Sequence, residues 1–274
     1  MKQYLGMELK RAFVNKRMLI ALAFGIGLSI WHYFAYVHSI SQHIYVFGDP
    51  KYDYPLSAFN RWLGGEYVSL ESMLFYMLIP ILCALPYGES WLYDCSSSVG
   101  VQAMIRGSKK DFVKTKMLVV FLNGAVIAML PLLFDLVLTC TTLPAIVPKA
   151  GLGQSPIFAQ CLMGEFFYEH PLIYSLIYIG MDGLFLGLLN TISIVARLVT
   201  SNRYMVILTP FLYYMAFYCV GTTTSHLEIC PSGFLRPCQV YHTTWLVLFA
   251  ELLLLFVICV WAARKYIREE EGLL

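Results

Sequence analysis

The sequence predicts an all-α integral membrane protein with six transmembrane helices, cytoplasmic N- and C-termini and an N-terminal amphipathic interfacial helix. Three observations predict it. Of 274 residues, 59% are hydrophobic and only 13% charged, about half the ~25% charged residues of a soluble domain, and mean hydropathy is +0.67. The apolar residues arrive in runs of bilayer-spanning length. The basic residues alternate between dense and sparse segments. A formal net charge of +2 gives no sign of a nucleic-acid partner. No small-residue cleavage site follows the first apolar run, which therefore reads as a retained span rather than a signal peptide.

Residues 1–17 precede the first span. Leu5, Leu9, Ala12 and Phe13 follow an i, i+4, i+7, i+8 spacing with most basic residues on the remaining face, which predicts a helix lying on the inner membrane surface among lipid headgroups. Runs of ~20 apolar residues then place spans at 18–40, 73–94, 117–143, 172–199, 204–221 and 244–264. The fifth is the shortest: 18 residues at ~1.5 Å each reach ~27 Å. Omitting it would put the C-terminal basic cluster outside, against the charge rule. The longest stretch between spans, Ser41–Ser72, has 32 residues, fewer than the ~40 needed for an independent core. The chain thus reads as a single transmembrane domain, 1–274.

Orientation follows from the cations. Lys2, Lys10, Arg11, Lys16 and Arg17 lie in the N-terminal segment, and Arg106, Lys109, Lys110, Lys114 and Lys116 lie between the second and third spans. Arg197 and Arg203 flank the fourth connection, and Arg264, Lys265 and Arg268 follow the last span. The opposite side has only Lys51, Arg61, Lys149 and Arg236. The positive-inside rule then puts both termini in the cytoplasm.

The cytoplasmic segment 95–116 is the most informative. Ser108 followed by Asp111 is a capping-box pattern, so a short helix should begin there and lead into the third span, exposing Phe112 and Val113 between lysines. A solvated basic loop is the plainer reading. A capped helix with apolar anchors ringed by charge has the make-up of a docking element.

At this point the chain resembles the membrane subunits of type-2 ABC exporters, the ABC-2 permeases. The inner-face pattern of that family has an acidic residue ending the second span, a Gly-containing segment, an apolar stretch, a basic-Ser-basic element and a Lys opening the third span. The matching positions are Asp94, Gly100, Val101–Ile105, Arg106/Ser108/Lys109 and Lys116. The basic N-terminal helix, the six spans, the cytoplasmic termini and a loop before the last span that folds back into the outer leaflet also match. The resemblance implies that Ser108, Lys109, Lys110, Asp111, Phe112, Val113 and Lys116 form a coupling helix seated in a cleft of a separate cytosolic ATPase. That partner would bind the ATP and Mg, leaving this chain without a cofactor. A second permease copy or a sibling would complete the transporter, in a bacterial plasma membrane. Export as the direction rests on the resemblance alone, and the substrate stays open.

Within the spans the polar residues are acidic. Asp135, Asp182 and Glu251 fall at similar depth, ~5–8 Å above the midplane, and each would cost ~2.5–3.5 kcal/mol there if ionised. No Lys or Arg shares that depth in the sequence. They read either as three separately satisfied structural acids or as the lining of an outward-opening cavity. Nearer the cytoplasm lie Glu89, Asp94 and Arg197, and an Asp94–Arg197 pair is geometrically feasible.

On the outer side, His32, His38, His43, His170, His226 and His242 show no metal-binding spacing and read as scattered interfacial residues, so no metal site is expected. Cys83, Cys95, Cys140, Cys219 and Cys259 lie in or beside spans. Cys230 and Cys238 flank a Pro/Gly-rich loop in which a disulfide is sterically feasible, leaving Cys161 over. The chain has no Gly-Lys pair and so no Walker A motif, and no nucleophile–base pair in a span. Glu269–Glu271 reads as a solvated tail. As a permease without its own ATPase motifs it is not expected to be an enzyme. The alternatives are a secondary transporter driven by ions or protons through the three acids, for which no inverted repeat is visible, and a non-transporting anchor or sensor.

Overall fold

The computed structural model describes residues 2–42, 54–66, 68–97, 108–149, 157–158, 161–239 and 243–268. Among them every regular element is helical. Helix α1 (Lys2–Phe13) leads into α2 (Lys16–His32), which continues through a π turn, Tyr33–Val37, to Ser41. Asn15 makes the corner: its Oδ1 accepts from Met18 N at 2.7 Å while its Nδ2 donates to the carbonyls of Arg11 and Ala12. One side chain thus satisfies both orphaned helix ends.

The second predicted span is interrupted. Helix α3 (Leu70–Ala84) has 15 residues, and α4 (Ser90–Ser96) follows after a turn. The cause is Pro86, which has no N–H to continue the ladder, together with Gly88, whose N–H bonds Ala84 O at 2.8 Å. A Cβ on Gly88 would lie 2.6 Å from that carbonyl oxygen, so the turn admits only glycine.

Helix α5 (Lys109–Thr142) runs unbroken for 34 residues despite Pro131, so the predicted coupling helix is simply its first turns. Ser108 caps it as expected, its Oγ accepting from Asp111 N. Next come α6 (Gly164–Glu169), α7 (Pro171–Ala196), α8 (Arg203–Thr224), the single turn α9 (Pro231–Phe234) and α10 (Trp245–Arg268). Among the described residues, five helical stretches are long and apolar enough to cross a membrane: Lys16–Ser41, Lys110–Thr142, Pro171–Ala196, Arg203–Thr224 and Trp245–Arg268. The predicted fifth span therefore has full length, 22 residues, ending where Ser225 turns left-handed at φ 60°. The short one is α3, which the sequence pattern had joined to α4.

The α5–α7 pair is the centre of the bundle. Its backbones approach closely because small residues face large ones: a Cβ on Gly187 would lie 2.8 Å from Phe121 O. Asn190 Nδ2 donates to Val120 O at 2.9 Å across the same seam. Helix α2 packs on α5, α10 on α7, and α3 and α8 pack against each other and the centre. The main core gathers Phe75, Tyr76, Ile79, Leu132, Tyr178, Phe185 and Tyr214. A second core lies at the end of the bundle where α1 sits, here termed basal.

Candidate functional site

The basal core is built around a buried ion cluster. Tyr4, Glu8 and Ala12 recur every four residues along one face of α1, and all three are buried. Glu8, Asp94 and Lys116 are essentially inaccessible, at 0%, 1% and 0% exposure. Lys116 Nζ lies 2.5 Å from Asp94 Oδ2, 2.7 Å from Glu8 Oε2 and 3.1 Å from the Tyr87 hydroxyl. The Tyr87 hydroxyl donates to Glu8 Oε2 at 2.5 Å. Arg11 completes the set, with Nη1 2.7 Å from Glu8 Oε1 and Nη2 2.8 Å from Asp94 Oδ1. Two carboxylates thus face two cations, and the formal charges cancel. Burial opposes the charge on Arg11, yet the hydrogen bond and charge of Asp94, with Tyr87 and Glu8 beside it, hold its guanidinium more basic than usual. Arg17 and Glu89 form a further ion pair at the rim.

This geometry corrects two expectations. Asp94 pairs with Lys116 and Arg11, not with Arg197, whose Nη1 instead reaches Ser201 Oγ at 3.4 Å. Phe112 and Val113 are not exposed anchors: each is 1% exposed. Phe112 packs edge-on against Tyr4 at 5.4 Å between ring centres and beside Trp91 at 6.0 Å. The helix face they occupy looks toward α1 and α4, leaving Lys110 and Lys114 on the open face. Gly100, Val101–Ile105, Arg106, the side chain of Lys109, His43, His242 and Glu269–Glu271 lie outside the described residues.

The three intramembrane acids are all buried but do not share partners. Asp135 accepts from Leu63 N at 2.6 Å through Oδ2 and meets His32 Nδ1 at 3.0 Å through Oδ1. His32, fully buried, is therefore a structural partner and not an interfacial residue. The Leu63 contact is possible because residues 56–63 fold inward: Leu56, Ala58, Phe59, Trp62 and Leu63 are all buried. Ser57 Oγ and Ala58 N tie this segment to the carbonyls of Ile146 and Pro144. Asp182 Oδ2 accepts from the Tyr76 hydroxyl at 3.1 Å. Both oxygens of Glu251 lack a hydrogen-bond partner among the described residues. The acids are thus separately placed groups with no hydrogen-bond partner in common among the described residues.

Cys230 and Cys238 are both free, contrary to the disulfide considered from spacing. Cys230 Sγ turns toward the carbonyls of Phe217 and Tyr218 at the end of α8. Cys238 belongs instead to the main core. The loop carrying them does fold into the bundle, with Phe234 stacked edge-on against Phe185 at 5.3 Å and Gln239 bonded to Leu162 N and the Tyr178 hydroxyl. Among the described residues no group of His, Cys, Asp and Glu could hold a metal ion.

The sequence missed Glu8, Arg11 and Tyr87 as members of one site. Only the Tyr4–Glu8–Ala12 stripe signalled that α1 buries a carboxylate. The length and apolarity of the helices mark an all-helical, multi-pass membrane protein. No protein-family profile, curated protein or solved structure matches this chain.

Proposed function

We propose that this chain is the membrane subunit of an ATP-driven transporter of the ABC-2 type, exporting its substrate with energy from a separate cytosolic ATPase. The observation that carries this reading is the Asp94–Lys116 contact at 2.5 Å. These are the two charged ends of the inner-face pattern on which the resemblance rests, and the fold brings them together and seals them with Glu8 and Arg11.

In this reading there are six crossings, α3 and α4 together forming the second, with both termini in the cytoplasm and α1 at the inner interface. The ATPase meets the first turns of α5 through its open face, where Lys110 and Lys114 are exposed. A push there reaches far, because α5 is 34 residues long, ~51 Å at ~1.5 Å per residue. Its displacement carries Asp135, and with it the inward-folded segment held by Leu63 N. ATP and Mg stay on the partner, and a second permease copy completes the pathway. Proton-coupled secondary transport is the second reading, and the unpartnered carboxylate of Glu251 favours it.

The test is affinity purification of the full chain from its native membrane in mild detergent. An ATPase should co-purify, and Lys110→Glu with Lys114→Glu should release it without changing the melting temperature. Gradient-driven transport by the chain reconstituted alone, with no ATPase retained, would overturn the proposal.

A further inference from the structure

A groove of about 850 Å³ opens on the side of the bundle between α5, α7 and α10, within the ~300–1,000 Å³ usual for ligand sites. Its mouth, at the basal end, carries Lys110 and Lys114 from α5 and Arg264 and Arg268 from α10. Each pair is spaced i, i+4, so both cations of a pair share one helix face. Among the described residues none of the four is ion-paired and no acidic side chain lines the groove. Asp111, the acidic neighbour of the two lysines in sequence, is outside the lining.

Below the mouth the walls turn apolar. Phe121, Leu188, Phe256 and Val260 line them. The Thr191 hydroxyl donates to Gly187 O at 3.0 Å and so asks nothing of an occupant. Lys110 to Phe121 spans eleven residues, ~16 Å of helix, and Phe256 to Arg268 spans twelve, ~18 Å. One leaflet of the hydrocarbon core is ~15 Å deep. The groove therefore has four cations at its mouth and, from Lys114 to Phe121 and from Arg264 to Phe256, an apolar trough ~10–12 Å long, which covers most of one leaflet.

We propose that this groove binds a phospholipid with an anionic headgroup, the phosphate held by Lys110, Lys114, Arg264 and Arg268 and an acyl chain lying against Phe121, Leu188 and Val260. The charge complementarity selects this occupant. A soluble anion would leave the apolar trough empty, and an apolar partner helix would strand four cations. The inference does not rest on the transport reading, since it needs only that these helices face a bilayer leaflet; because the ATPase of that reading would meet the same Lys110 and Lys114, lipid and ATPase exclude one another at this face.

The full-length protein, purified in neutral detergent, is titrated with dioleoylphosphatidylglycerol, dioleoylphosphatidylcholine or glycerol 3-phosphate, and bound lipid is counted by native mass spectrometry. Phosphatidylglycerol should bind more tightly than phosphatidylcholine by more than about 25-fold, the share of two cations at about fivefold each, and glycerol 3-phosphate should not saturate. The variants K110Q/K114Q and R264Q/R268Q should each weaken phosphatidylglycerol about 25-fold, at about fivefold per removed charge, and leave phosphatidylcholine unchanged. Val260→Trp, which fills the trough, should weaken both lipids. The control K10Q/K16Q removes two exposed cations outside the groove and should have no effect. Equal binding of the two lipids by the unmodified protein, saturable glycerol 3-phosphate binding of equal strength, or an equal loss in the control would each overturn the proposal.

Discussion

Lys116 Nζ and Asp94 Oδ2 meet at 2.5 Å with neither side chain reaching solvent. Such a contact holds because it is part of a neutral set. Attraction between buried charges is strong but is offset by the loss of hydration, and what remains depends on every member being present. Lys116→Met should therefore destabilise the protein by about 3–5 kcal/mol, since it leaves Glu8 and Asp94 with Arg11 alone. Adding Glu8→Gln should recover a large part of that loss, because the charges again balance. Thermal unfolding in detergent checks both, and equal or additive losses would show that the cluster is not a unit.

The first turns of α5 have two faces with opposite expected responses. Phe112→Ala removes a ring wedged between Tyr4 and Trp91 and should cost about 3–5 kcal/mol. Lys110→Glu with Lys114→Glu changes only exposed side chains and should leave the melting temperature within the range of surface substitutions, about 0.5 kcal/mol. Parallel melting curves measure the contrast directly.

Asp135 and Glu251 are both intramembrane acids, yet their substitution should move stability in different directions. Asp135→Leu leaves the buried Leu63 N–H without its acceptor and should cost about 1–3 kcal/mol. Glu251→Leu removes a carboxylate with no hydrogen-bond partner among the described residues and should leave the melting temperature equal or raise it. With no shared partner, the double variant should be additive.

The interruption between α3 and α4 sets a question of topology that labelling can read. Single cysteines at Lys10, Ser108 and Arg268, in a background free of reactive thiols, should all be modified from the same side of the membrane. If α3 and α4 do not cross, Lys10→Cys will respond from the opposite side to the other two.

The sequence made the long helices legible and hid what joins them. Apolar runs around 117–143, 172–199 and 244–264 have no other physical outcome than a buried or lipid-facing helix. Pro86 and Gly88, by contrast, sit inside an apolar run, and hydropathy does not register a missing N–H. Phe112 and Val113 were misplaced because a lysine-rich turn looks equally solvated on all sides until the neighbours are known. The cluster was hidden by distance along the chain: Glu8 and Lys116 are 108 residues apart, and nothing local marks either as the other's partner. His32 and Asp135, 103 apart, were hidden in the same way.

Those separations set an order of assembly during synthesis. Glu8 and Arg11 emerge long before Lys116, and Leu63 emerges 72 residues before the carboxylate that receives its N–H. Until α5 is made, the acid on α1 has no buried counterpart and must stay hydrated, and the segment around Trp62 has nowhere to lodge. Insertion of α5 thus supplies Lys116 to one end of the bundle and Asp135 to the other at once. A ribosome-bound chain truncated after Ala84 should leave both ends open to small polar reagents, and one extended beyond Thr142 should protect them.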